Sequence, residues 1–113
     1  GLAHAAENLA DLKQAQSFIS SGKAAEAYAL LLPFEFYQAG DPAYDYLLGV
    51  AALDSGKYNA ATLAFERVLA LEGRHVKARY FLAHAAEQDG KREQAAEIWR
   101  ALLAEAPAGA PWA

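Results

Sequence analysis

The residues of this 113-residue chain that most invite a chemical reading are three glycine-lysine pairs, Gly22-Lys23, Gly56-Lys57 and Gly90-Lys91, and three histidines, His4, His75 and His84. A lysine beside glycine can help hold a phosphate, but none of the pairs lies in the glycine-rich spacing that a phosphate loop requires. A histidine metal site needs ligands close together on one helix face, and the nearest two histidines are nine residues apart with no acidic pair at ligand spacing. Cysteine is absent, which removes disulfides, thiolate catalysis and cysteine-bound metals together. No serine-histidine-acid set is legible. The residues capable of chemistry therefore point away from an enzyme, and neither a metal nor a cofactor is expected.

The same glycines say more through their spacing. Both intervals between them are 34 residues, and each glycine is followed at fixed offsets by an alanine (Ala27, Ala61, Ala95) and then a large apolar residue (Leu31, Phe65, Trp99). Repetition at that period, with small residues at fixed places, marks an array of helix-turn-helix units. One such unit cannot bury its apolar face, so neighbours must stack. Asp41-Pro42 supplies a cap and a first-turn proline for a helix closed by Gly56. On it Tyr46, Leu47, Val50 and Leu53, and one step round Leu48, Ala51 and Ala52, make two apolar sides, as a helix between neighbours requires. A second helix is predicted over Tyr58 to Leu71, with Ala61, Phe65, Val68 and Leu69 facing back. The third unit repeats this over Val76 to Asp89 and Arg92 to Glu105, with Pro107 as its stop. In the first unit Pro33 falls inside the second helix and should kink or end it.

Composition narrows the classes of partner. A net charge of -4, with 10 basic residues scattered over the repeats, provides no basic stripe for nucleic acid or for an anionic membrane surface. No apolar run is long enough for membrane insertion, and no secretory signal pattern opens the chain. Because methionine is absent, we expect an excised or processed piece of a longer protein.

Leu48-Gly49, Ala61 and Phe65 in the second unit, and Leu82-Ala83, Ala95, Trp99 and Pro107 in the third, resemble the tetratricopeptide repeat family. Ala15, Phe18, Gly22, Ala27 and Leu31 carry the resemblance into the first unit, where Gln14 stands in place of the leucine. The tryptophan that the family places early in each first helix is replaced by Asp11, Asp45 and Arg79. The resemblance implies an all-α, right-handed α-solenoid of three helix-turn-helix repeats, forming a single domain over residues 1–113 with repeats at about 8–41, 42–75 and 76–109.

It also implies that the concave face, made by one side of each first helix, binds a protein or peptide segment. By register that face holds Leu9, Leu12, Gln16 and Ile19, then Ala43, Tyr46, Val50 and Leu53, then Lys77, Tyr80, His84 and Glu87. Members that capture an acidic carboxyl terminus use lysine, asparagine and arginine at set places. Here those places hold Leu12, Gln16, Leu47 and Phe81, and only Lys77 matches. An apolar or amphipathic segment suits such a groove better. The other reading of these side chains is burial by a neighbouring repeat or by an amino-terminal helix.

Two further surfaces remain open. Phe34-Glu35-Phe36-Tyr37 puts three aromatics where they cannot share one helix face. Either Phe34 and Tyr37 enter the core with Phe36 on a partly covered edge, or the three form an exposed patch for a partner. An array without a clear polar capping helix would leave an end face apolar, which makes a homo-oligomer the structural alternative. The alanine-rich, cysteine-free character and the closing Ala110-Pro111-Trp112 resemble tetratricopeptide segments of bacterial envelope assembly proteins, which implies a periplasmic location, with a cytoplasmic one as the alternative.

Overall fold

The computed structural model describes residues 9–105, whose regular elements are all helical. They are α1 (Leu12–Ser20), α2 (Ala24–Leu31), a 3-10 turn (Leu32–Phe34), α3 (Glu35–Gln38), α4 (Pro42–Asp54), α5 (Tyr58–Leu71), α6 (Val76–Gln88) and α7 (Arg92–Glu105). Two of the sequence-derived helices, 58–71 and 92–105, have the same ends in the structure. Pro107 and the tail to Ala113, like His4, lie outside the described residues.

The turns show why the period is visible. Gly22, Gly56 and Gly90 have φ of 75°, 77° and 81°, the left-handed conformation that glycine takes without strain. In each, the following lysine amide reaches back to close the helix: Lys23 to the Phe18 carbonyl at 2.7 Å, Lys57 to Ala52 at 2.8 Å, and Lys91 to Ala86 at 2.8 Å. The glycine-lysine pairs are helix stops. Helix starts are capped by Asp11, Asp41 and His75, whose side chains accept from the amides of Gln14, Ala43 and Ala78.

Close packing follows the small positions. Ala15, Gly49 and Ala83 on the first helices are buried, as are Ala27, Ala61 and Ala95 on the second. The Phe65 ring lies over Gly49 so tightly that a Cβ there would stand 2.7 Å from Phe65 Cε1. Apolar side chains collect in two clusters, one for each junction. The first joins Ala15, Ala27 and Leu31 to Tyr44, Leu48 and Ala51. The second joins Ala61, Phe65 and Val68 to Ala78, Leu82 and Ala85. Each core therefore belongs to a contact between repeats, as expected of stacked units. The body measures 48 × 25 × 25 Å, its short sides comparable to the roughly 20 Å length of a 14-residue helix.

Pro33 ends α2, and the chain continues through the 3-10 turn into α3. Four hydrogen bonds secure this break. The Tyr44 hydroxyl donates to the Leu31 carbonyl at 2.6 Å, and the Ala10 amide donates to Gln38 Oε1 at 2.6 Å. Arg67 donates through Nε to Asp45 at 2.9 Å and through Nη2 to Glu35 at 3.0 Å, tying α3 to α4 and α5. Burial pushes the Tyr44 phenol well above its usual range, with Glu35 adding to the effect, so the donor stays protonated.

Candidate functional site

Consecutive first helices touch, α1 on α4 and α4 on α6, so the three make one layer backed by α2, α5 and α7. Apart from Leu9, the groove candidates all lie on the helices of that layer, but burial divides them. On α1, Leu12 and Ile19 are half-buried against the first core, while Gln16 is exposed and donates to Ser20 Oγ at 3.3 Å. On α4, Ala43 is exposed, whereas Tyr46 and Val50 are half-buried against the second core. Leu53, expected on the groove, is a correction: only 6% exposed, it is a core residue of the second junction. On α6, Lys77, Tyr80, His84 and Glu87 are all exposed and recur at helical intervals along one side. Leu9, just before α1, is exposed.

Tyr46 belongs to an aromatic group at the junction of repeats two and three. Its ring meets His75 at 5.3 Å, Phe65 at 6.1 Å and Phe81 at 6.2 Å. Burial raises its phenol above the ordinary value, which keeps the hydroxyl neutral. Burial by a neighbouring repeat, the second of the two expectations, thus describes Tyr46 and Val50. Tyr80, its counterpart one repeat on, keeps 42% of its surface exposed. Its ring is held edge to face by Trp99 at 5.2 Å and Phe81 at 5.5 Å. The Trp99 indole in turn donates to Glu87 at 3.1 Å, which fixes that carboxylate beside the same face. Leu47 and Phe81, at the places an acidic-tail clamp would need polar groups, pack against the two cores.

The aromatic run of the first repeat splits differently from the core expectation. Phe34 packs against the first core, but Tyr37 is 59% exposed, so its placement in the core is overturned. Phe36 is 90% exposed and meets Tyr37 edge to face at 5.3 Å. The cause is the proline: ending α2 at Leu31 turns α3 so that Gln38, not Tyr37, faces inward.

Several residues that shape the site were not singled out from the sequence. His75, by residue type a metal-ligand candidate, instead caps α6 through Nδ1 at 3.0 Å and packs its tilted ring against Tyr46. Its standing one period after the capping Asp41 was the available signal. Asp45, which stands where the family has a tryptophan, is fully buried and paired with Arg67. Arg79, at the same place one repeat later, reverses the charge and pairs with Glu105 on α7. Among the described residues no group of three histidine, cysteine or acidic side chains is placed to hold a metal, and no helix is long and apolar enough to cross a membrane.

Helix pairs repeating every 34 residues, with buried small residues at fixed places and an exposed layer of first helices, define a tetratricopeptide array. The chain belongs to that family: the tetratricopeptide repeat profile matches residues 52–113, more than half of it. Over 52 residues, 46% of the chain, it is 62% identical to the cytochrome c-type biogenesis protein CycH of Bradyrhizobium diazoefficiens. That match spans 14% of the relative's own length. No solved structure matches the chain.

Proposed function

We propose that this chain is a non-catalytic protein-binding module whose layer of first helices holds an apolar or amphipathic segment of a partner in a bacterial envelope assembly system. The observation that carries the reading is Tyr80: a large ring, 42% exposed and immobilised by Trp99 and Phe81, beside Lys77, His84 and Glu87 on one side of α6. A pre-positioned aromatic loses little freedom on binding, and such residues often anchor interfaces. Likeness to a cytochrome c-type biogenesis protein supports cytochrome c assembly as the process, a polypeptide awaiting haem as the partner, and the periplasm as the place.

Overlapping peptides from a c-type apocytochrome, labelled for fluorescence anisotropy, test this directly. One helix-forming segment should bind. Tyr80→Ala should then weaken it by at least about tenfold with helicity unchanged, while Lys23→Ala on an outer turn should have no effect. A second reading rests on Phe36 and Tyr37, whose exposed paired rings offer another apolar surface. Normal binding by the Tyr80 variant, together with loss in Phe36→Ala, would move the site to the broken helix of the first repeat.

A further inference from the structure

The third repeat departs from the first two at a pair of places that touch each other. Glu87 stands one period after Leu53 and two after Ile19, and Trp99 stands one period after Phe65 and two after Leu31. In the earlier repeats these places belong to the cores: Ile19 packs against the cluster that holds Leu31, and Leu53 shares one cluster with Phe65. In the third they hold a carboxylate and an indole, joined by the 3.1 Å bond from Trp99 Nε1 to Glu87 Oε1. An apolar pair has become a polar one on the exposed side of α6.

Helix stability does not account for the exchange. Glu87 lies in the last turn of α6, where the free carbonyls make the surroundings negative and a basic residue would suit the helix better, yet that turn has none. Among the described residues no cation pairs with Glu87, whereas its neighbour Asp89 is paired with Lys91 at 3.3 Å. Lys77, on the same side of α6, stands about 15 Å further along. The indole N–H holds the carboxylate in place without neutralising it, and Oε2 accepts no hydrogen bond among the described residues. Trp99 also braces Tyr80 at 5.2 Å, so one side chain positions both an aromatic ring and a negative charge, about 10 Å apart along the helix. We infer, resting on the groove proposed above, that the segment held there carries a lysine or arginine that meets Glu87, two helical turns from the apolar side chain that meets Tyr80. For a helix lying along α6 these two side chains are about seven residues apart. A cation at that place pairs with the carboxylate and also offsets the negative end of α6. Because Glu87 is already held, less freedom is lost than in an ordinary exposed ion pair.

Three labelled amphipathic helical peptides, alike except for lysine, glutamine or glutamate seven residues from a leucine anchor, test this by fluorescence anisotropy with the whole chain at low ionic strength. The lysine peptide should bind about fivefold more tightly than the glutamine peptide, and the glutamate peptide more weakly than both. Glu87→Gln, which keeps an oxygen for the Trp99 indole, should erase the preference for lysine, and Glu87→Lys should turn it toward glutamate. Glu66→Gln, on the exposed side of α5, changes the net charge equally and should leave the preference intact. Equal affinity for the lysine and glutamine peptides, with Tyr80→Ala still weakening both, would overturn the inference and leave the groove standing. A preference for lysine that survives Glu87→Gln would overturn it too. If Tyr80→Ala changes the binding of none of the three, the groove is lost and the cation contact with it.

Discussion

A methyl group at position 49 has nowhere to go. The nearest atoms of the Phe65 ring would lie 2.7 to 2.9 Å from it, and that ring is itself enclosed by Tyr46 and Phe81. Helix propensity alone favours Gly49→Ala by about 1 kcal/mol, whereas forcing a packed ring aside costs about 1 to 3 kcal/mol. We expect the contact to win and the melting temperature to fall. A variant that melts at or above the parent would show that Phe65 has room to move. The smallness of residue 49 was legible from the period, since Ala15 and Ala83 stand one period either side. The identity of the residue pressing on it was not, because that depends on how two helices approach.

Among the elements, α3 is the one that local sequence explains least. It has four residues, too few to be stable alone, and its place is set by Glu35 and Gln38 reaching other parts of the chain. Arg67 is the link, joining Glu35 to the fully buried Asp45. Asp45 keeps one other donor, the Gly40 amide at 2.8 Å. Arg67→Met would leave a buried carboxylate without its cation, which costs about 3 to 5 kcal/mol in fully buried pairs. The partial exposure of Arg67 places the expected loss at about 3 kcal/mol or below, measured by urea unfolding. Replacing Asp45 by asparagine in the same chain should recover part of it. A loss under about 0.5 kcal/mol for Arg67→Met would mean that the pair is a surface contact in effect. Pro33 revealed the break from sequence; the ionic tie across it spans residues 35, 45 and 67 and follows no repeat, so no periodic reading could reveal it.

For the molecule as a whole, stability should grade along the array. The middle repeat contributes buried residues to both apolar clusters, through Leu48 and Ala51 to the first and Ala61 and Phe65 to the second, whereas each outer repeat contributes buried residues to one, with half-buried Tyr28 of the first repeat packed against both. In a stacked array the unit with two neighbours opens least. Amide hydrogen exchange should therefore be slowest in α4 and α5 and faster in α1 and α7. Equal protection along all helices would show that the three repeats open only together.

The helix boundaries of the second and third repeats, the small positions and the glycine turns were decided by the sequence, because each depends on residues a few places apart and recurs with the period. Which equivalent residues face solvent was decided by tertiary structure. Leu12, Tyr46 and Tyr80 share one place in the repeat, yet Tyr46 is half-buried under His75 and Phe81 while Tyr80 is exposed. Their difference lies in what stacks against them. Periodicity specifies a side chain's direction from its own helix, but only the packed array determines whether another helix waits there.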